Sequence, residues 1–201
     1  MADDAQHKQT PSQTVGPYFA YGLTPRQYGY PLPGLVGPDL LGSEEVAGER
    51  IWLIGRVLDT QGAPVDDALI EIWQADAAGR LPSSADGVGN RPGFRGYGRC
   101  GTGTDPESRF VFRTLKPGAV AADAAPHISL VVFARGLLSH LYTRVYFADE
   151  AAANAADPVL AQVPAERRDT LIADRQDAAD GPVYRMDIRL QGAGETVFFD
   201  L

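Results

Sequence analysis

The sequence predicts a mostly β protein, a single β-sandwich domain with short helices and a long irregular N-terminal arm. Three observations point there. Apolar residues recur with period two in short runs, at 51–58, 109–115, 141–147 and 183–190. Glycine (22) and proline (15) together make up roughly one residue in five of the 201, which favours many turns over long helices. The apolar content of 44% is enough for a real core. Residues 1–50 are expected to form an arm and loops that make contacts outside the core, and 51–201 the sandwich.

In order along the chain, residues 1–10 are polar and read as disordered. Thr10 to Phe19 carries Pro11 and Pro17 among small polar residues, so neither a helix nor a central strand is expected. Tyr18, Phe19 and Tyr21 follow as an aromatic cluster on irregular backbone, which needs a surface to lie on. Residues 22–49 continue as Gly/Pro-rich loop, with a short turn at Ser43 to Glu45. Ile51 to Leu58 and Ala68 to Trp73 read as a strand pair around the Asp59–Gly62 turn, with Glu71 on the solvent side and Trp73 anchoring the core. Loop returns from Ala77 to Gly98. Strands are then expected at 109–115, with Phe110, Phe112 and Thr114 on one side, at 127–133 and at 141–147. Asp149 is expected to cap a helix over 149–154, and Pro164 to open a second one over 164–175. A half-buried strand over 183–190 follows.

Charge narrows the partners. The net charge is −8 with no basic run, which argues against nucleic acid and anionic membranes. Cys100 is the sole cysteine, so no internal disulfide forms and a free structural thiol in a reducing cytoplasm is expected. The opening residues lack the apolar core of a secretory signal, and no stretch is long enough to span a bilayer.

Few residues suit catalysis. His7 falls in the tail; His127 and His140 are the only other histidines, and each has no second histidine two positions away. Each is expected to be a hydrogen-bonded structural residue. Serines 12, 129 and 139 lack a nucleophile-elbow context, and Gly87-Val-Gly89 has no following helix to bind a dinucleotide.

Six blocks nevertheless carry a resemblance: TPSQTVGPY, LIEIWQADAAG, RTLKPG, APHISLVVFARG, RVYFADE and the terminal GETVFFDL. In this order, from Thr10 to Leu201, they resemble the intradiol ring-cleavage dioxygenases, and among them the α type of subunit that works beside a β partner. In catalytic subunits of that family, two Tyr and two His hold a ferric ion. Carried over, the first histidine position is His127, the second is Ser129, one tyrosine position is Val120, and the other falls in Leu81–Gly93, which has no tyrosine. The resemblance therefore implies no metal and no catalytic residue on this chain alone, His127 being the single remaining ligand-position residue. It implies Fe(3+) on the partner β subunit, an obligate hetero-oligomer of αβ units, and 3,4-dihydroxybenzoate with O2 as substrates. Thr14, Gly16, Pro17 and Tyr18 would line the pocket, and Arg135 would lie near the substrate carboxylate. A self-sufficient intradiol dioxygenase and a non-enzymatic transthyretin-like binding domain are the alternatives; iron content and a co-purifying partner discriminate them.

Overall fold

The structure is a computed structural model that describes residues 10–34, 36–42, 46–82 and 93–200. Residues 1–9 of the stretch 1–10 expected to be disordered, the turn at 43–45 and the Gly87/Gly89 segment lie outside those residues. Among the described residues nine strands form, β1 Arg50–Leu58, β2 Leu69–Gln74, β3 Tyr97–Gly101, β4 Arg109–Leu115, β5 His127–Phe133, β6 Leu141–Phe147, β7 Ile172–Gln176, β8 Val183–Arg185 and β9 Ile188–Arg189. Their order is β3-β2-β5-β6-β7-β8-β1-β4, with β9 beside β1. Most neighbours are antiparallel; β6/β7, β1/β8 and β1/β9 are parallel. The mostly β expectation holds.

One apolar core joins the two halves of this order. Ile51, Leu53 and Val57 of β1 and Phe110 and Phe112 of β4 pack with Ile70 and Ile72 of β2, Ile128, Leu130 and Val132 of β5, and Val145 and Phe147 of β6. Leu40, from the loops before β1, is fully buried in the same cluster. Thr114 is buried beside Phe110 and Phe112, as the alternation in that run predicts.

The expected pairing of β1 with β2 is wrong. The turn itself is there: Asp59 Oδ1 accepts from the amides of Gln61 and Ala63, and Gly62 takes φ +79°. Its return arm lasts only for the Leu58–Pro64 bridge and the Val65 N to Val57 O bond. The chain then crosses to the other half, where β2 pairs with β3 and β5, so that Ile70 and Ile72 meet Ile51 and Leu53 across the core. That crossing also reverses the expectation for Trp73, while Glu71 keeps the outer face expected of it. With Ile70, Ile72 and Gln74 turned inward, Trp73 lies half-buried on the outer face against Tyr97. Glu71 sits beside it, paired with Arg99 at 2.5 Å and only 15% exposed. Gln74 is the residue buried at the strand end, held by Thr114 Oγ1 (2.7 Å) and the Leu115 carbonyl (2.9 Å).

Helices are shorter than the sequence suggests. The ring cluster is not wholly irregular, because α1 (Phe19–Leu23) forms one turn there. Asp149 caps nothing: it lies in a 3₁₀ turn before α2 (Ala151–Ala156), its carboxylate drawn to Lys116 (2.7 Å) and Tyr184 (2.9 Å). In place of one helix over 164–175, α3 (Pro158–Gln162) is capped by Asp157, a 3₁₀ segment spans Ala165–Leu171, and β7 begins at Ile172. The strand over 183–190 keeps its alternation but is cut into β8 and β9. No helix among the described residues is long and apolar enough to cross a membrane.

Residues 37–42 lie along both edge strands. Arg99 of β3 donates its amide to the Gly37 carbonyl (3.2 Å), and Arg113 of β4 donates to Pro38 (3.0 Å). Leu40 N returns a bond to Arg113 O (2.9 Å), and Arg95 N binds Leu40 O (3.1 Å).

Candidate functional site

β5 carries candidate residues at both of its ends. Its period-two pattern turns Ile128, Leu130 and Val132 into the core and leaves His127, Ser129, Val131 and Phe133 half-buried on the outer face. The antiparallel register with β6 places Tyr146 opposite His127 and Arg144 opposite Ser129.

At the first end, His127 is hydrogen-bonded to the backbone. Its Nδ1 lies 2.9 Å from the Ala125 carbonyl, which can only accept, so the proton is on Nδ1 and Nε2 keeps the lone pair. Burial, helped by the Arg144 charge, holds the imidazole below its ordinary pKa and therefore neutral. The Tyr146 ring lies tilted beside it, centroids 5.7 Å apart, and its hydroxyl donates to Asp157 (3.1 Å), the phenol pushed up to about 12 chiefly by burial. The residues here do not fit a ferric ion. One neutral imidazole and the Ser129 hydroxyl face the Arg144 guanidinium, a cation where a cation would bind, and Val120 is an exposed alkyl side chain. Among the described residues no cluster of three or more His, Cys, Asp or Glu is placed to hold a metal. The Leu81–Gly93 stretch is described only at its two ends.

At the other end the arm meets the chain. Thr14 Oγ1 accepts the Gly136 amide at 2.8 Å, directly after Arg135. Phe19 packs on Phe133 with ring centroids 5.3 Å apart, and the Gly16 carbonyl accepts from Phe19 N to start α1. A groove of 310 Å³ opens between them, lined by Gln13, Val15, Phe19, Phe133, Leu138 and His140 among others. Tyr18, next to Phe19 in the chain, is 76% exposed, with its edge on Tyr21 at 5.7 Å; Tyr21 in turn stacks on Tyr28 at 4.0 Å. Gly16 and Pro17 are exposed between Thr14 and Tyr18, and a side chain at Gly16 would meet only open space. Arg135, 59% exposed, pairs with Asp67, which is 11% exposed. His140, also expected to be structural, hydrogen-bonds Tyr142 at 2.6 Å.

Thr14 and Arg135 thus come together, with Tyr18 on the same arm, whereas His127 does not join them. The extended run of β5 puts His127 roughly 20 Å from Phe133, at the end where Arg135 follows. Sequence reasoning singled out Tyr21 but missed Asp67 and Tyr28. The tyrosine spacing offered a signal for Tyr28; nothing marked Asp67 as the partner of an arginine so far along the chain.

A dioxygenase family model matches residues 37–192. With that match and the relatives below, the chain belongs to the intradiol dioxygenase family. It is 58% identical to the protocatechuate 3,4-dioxygenase alpha chain of Burkholderia cepacia over 195 residues, covering 96% of this chain and 98% of that one. Against the protocatechuate 3,4-dioxygenase beta chain of the same organism the identity is 38%, over 76% of this chain and 68% of the other. The fold matches the dioxygenase domain of a dioxygenase carbohydrate-binding protein fusion from Streptomyces sp. SirexAA-E, with TM-score 0.59 and 23% identity over 94% of this chain and all of that one.

Proposed function

We propose that this chain is the α-type subunit of a protocatechuate 3,4-dioxygenase. In this reading it pairs with a β-type chain that holds ferric iron, and the assembly opens 3,4-dihydroxybenzoate with O2 between its hydroxyl-bearing carbons to give 3-carboxy-cis,cis-muconate. Residues 1–50 supply the partner-facing arm and loops, and 51–201 the sandwich. The single buried thiol suits a reducing cytoplasm as the setting.

The observation that supports this reading is the separation along β5. Thr14, Gly16, Pro17 and Tyr18 are exposed at the end of β5 remote from this chain's own ligand position. An arm built to complete a pocket so placed completes one on another chain. Arg135 offers that pocket a permanently charged planar fork, suited to a carboxylate. Tyr18 and Leu138 (66% exposed) are large apolar surfaces that contact with a partner would cover.

The test is expression with and without the β-type chain, followed by iron analysis and a ring-cleavage assay. The chain alone should carry no stoichiometric iron and no tyrosinate-to-iron visible band, while the co-expressed complex should have both iron and activity. An iron-loaded, active preparation of this chain by itself would overturn the reading.

A further inference from the structure

We propose that Asp67 is a positioning residue that aims Arg135, so that the pair sets the preference for ring substrates bearing a carboxylate. This rests on the reading of Arg135 given above. Both oxygens of Asp67 are sealed from solvent, and no backbone amide or hydroxyl among the described residues donates to either. A buried carboxylate left in that condition is tolerated only beside a cation, and the cation here is Arg135. Contact is made through Nε. The two terminal nitrogens of a guanidinium can pair in parallel with a carboxylate, and the Asp67 contact is made on the Nε side of the group.

Both partners stand on fixed backbone. Asp67 is carried by a turn that Thr102 clamps: its hydroxyl donates to the Val65 carbonyl (2.7 Å) and accepts the Ala68 amide (3.1 Å). Val65 N is tied to Val57 of β1 at 2.8 Å. Arg135 leaves the end of β5 and is followed by Gly136 at φ +88°, whose amide is held by Thr14 of the arm. The side chain is therefore held at its root by the arm and at its head by Asp67. A long arginine free in solvent would lose rotamer freedom on meeting an anion; one already fixed loses less.

The experiment uses the αβ complex with iron content matched, and measures KM and kcat for 3,4-dihydroxybenzoate and for catechol, which lacks the carboxylate. Asp67→Asn should raise KM for 3,4-dihydroxybenzoate about 10-fold with kcat and the catechol constants little changed. Asp67→Glu, which keeps the charge, should recover part of the loss and covers the case in which the Asn variant fails to assemble. In an Arg135→Ala background, Asp67→Asn should add nothing. An unchanged or lowered KM, or an equal rise for both substrates, would overturn the role of Asp67. If Arg135→Ala itself leaves the preference unmoved, the reading of Arg135 fails first, and the two failures are told apart.

Discussion

The Tyr146 hydroxyl donates to the Asp157 carboxylate at 3.1 Å in the interior, 1% of Asp157 being exposed. The same carboxylate caps α3 through the amides of Val159 (2.9 Å) and Leu160 (2.8 Å), and its other oxygen takes the Ala125 amide (2.9 Å). Ala125 is the residue whose carbonyl fixes His127, so one aspartate ties a helix start, β6 and the approach to β5.

Asp157→Ala should therefore cost about 3 kcal/mol, a lost cap plus buried donors left unpaired. Urea unfolding followed by the fluorescence of Trp52 and Trp73 measures it. The pH dependence follows from the same bonds. Burial alone would raise the Asp157 pKa, but the Leu160 and Ala125 amides, the Tyr146 hydroxyl and the Val159 amide outweigh it and hold the folded value below the ordinary one. The contribution is thus complete above the unfolded pKa of about 3.9 and fades as pH falls through the lower folded value. Below about pH 4 the wild type should lose stability faster than the variant.

Gly55 is the second point of leverage. A side chain there would begin 1.9 Å from the Met186 carbonyl oxygen and 2.6 Å from the Phe110 ring. β1 and the 183–190 segment approach so closely because of it, as Met186 N also binds Ile54 O at 3.1 Å. Gly55→Ala should destabilise by about 3 kcal/mol or more. Gly136→Ala, at φ +88° but with nothing within 4 Å, should cost only about 1 kcal/mol. Equal losses in thermal unfolding would contradict the packing account.

Cys100 should be inert. Burial pushes its thiol up to about 11, against the partial relief of the Val111 amide and Gln27. At pH 8 the thiolate is on the order of one part in a thousand. Native protein should resist iodoacetamide for hours, and urea-unfolded protein should be alkylated promptly. Rapid native labelling would show that the β3 edge opens.

Tyr18→Ala should leave unfolding of this chain unchanged, since 76% of the side chain faces solvent. In the αβ complex it should lower kcat/KM about 10-fold, equivalent to roughly 1.4 kcal/mol. Unchanged kinetics would reduce the arm to scaffold.

Legibility differed between levels. Alternation exposed the strands because each has one face on the core; Phe110, Phe112 and Thr114 are buried as the pattern demands. Pairing was not legible at Asp59, where a sound local turn returns for two residues and then gives way to a crossing that only the shared core explains. Trp73 misled for a related reason, because ring size says nothing about which face a strand turns inward. Helix ends failed at Asp149, since a capping residue type is also an ion-pair residue, and Lys116 and Tyr184 are distant in sequence. The site divided the same way. The arm and Arg135 were marked by contiguous blocks, whereas Asp67 meets Arg135 only through tertiary structure.

The strip from Gly37 to Gly42 has a consequence for assembly. Exposed edge strands are templates on which any other chain can add a strand, and that pairing ignores side-chain identity. Here the middles of β3 and β4 are both engaged by the molecule's own loop. A copy waiting for its companion has little backbone to lend to a stray strand. On the proposed αβ reading, association falls to faces and to the arm, where side chains decide who fits, so subunit choice is separated from the indiscriminate chemistry of the peptide bond.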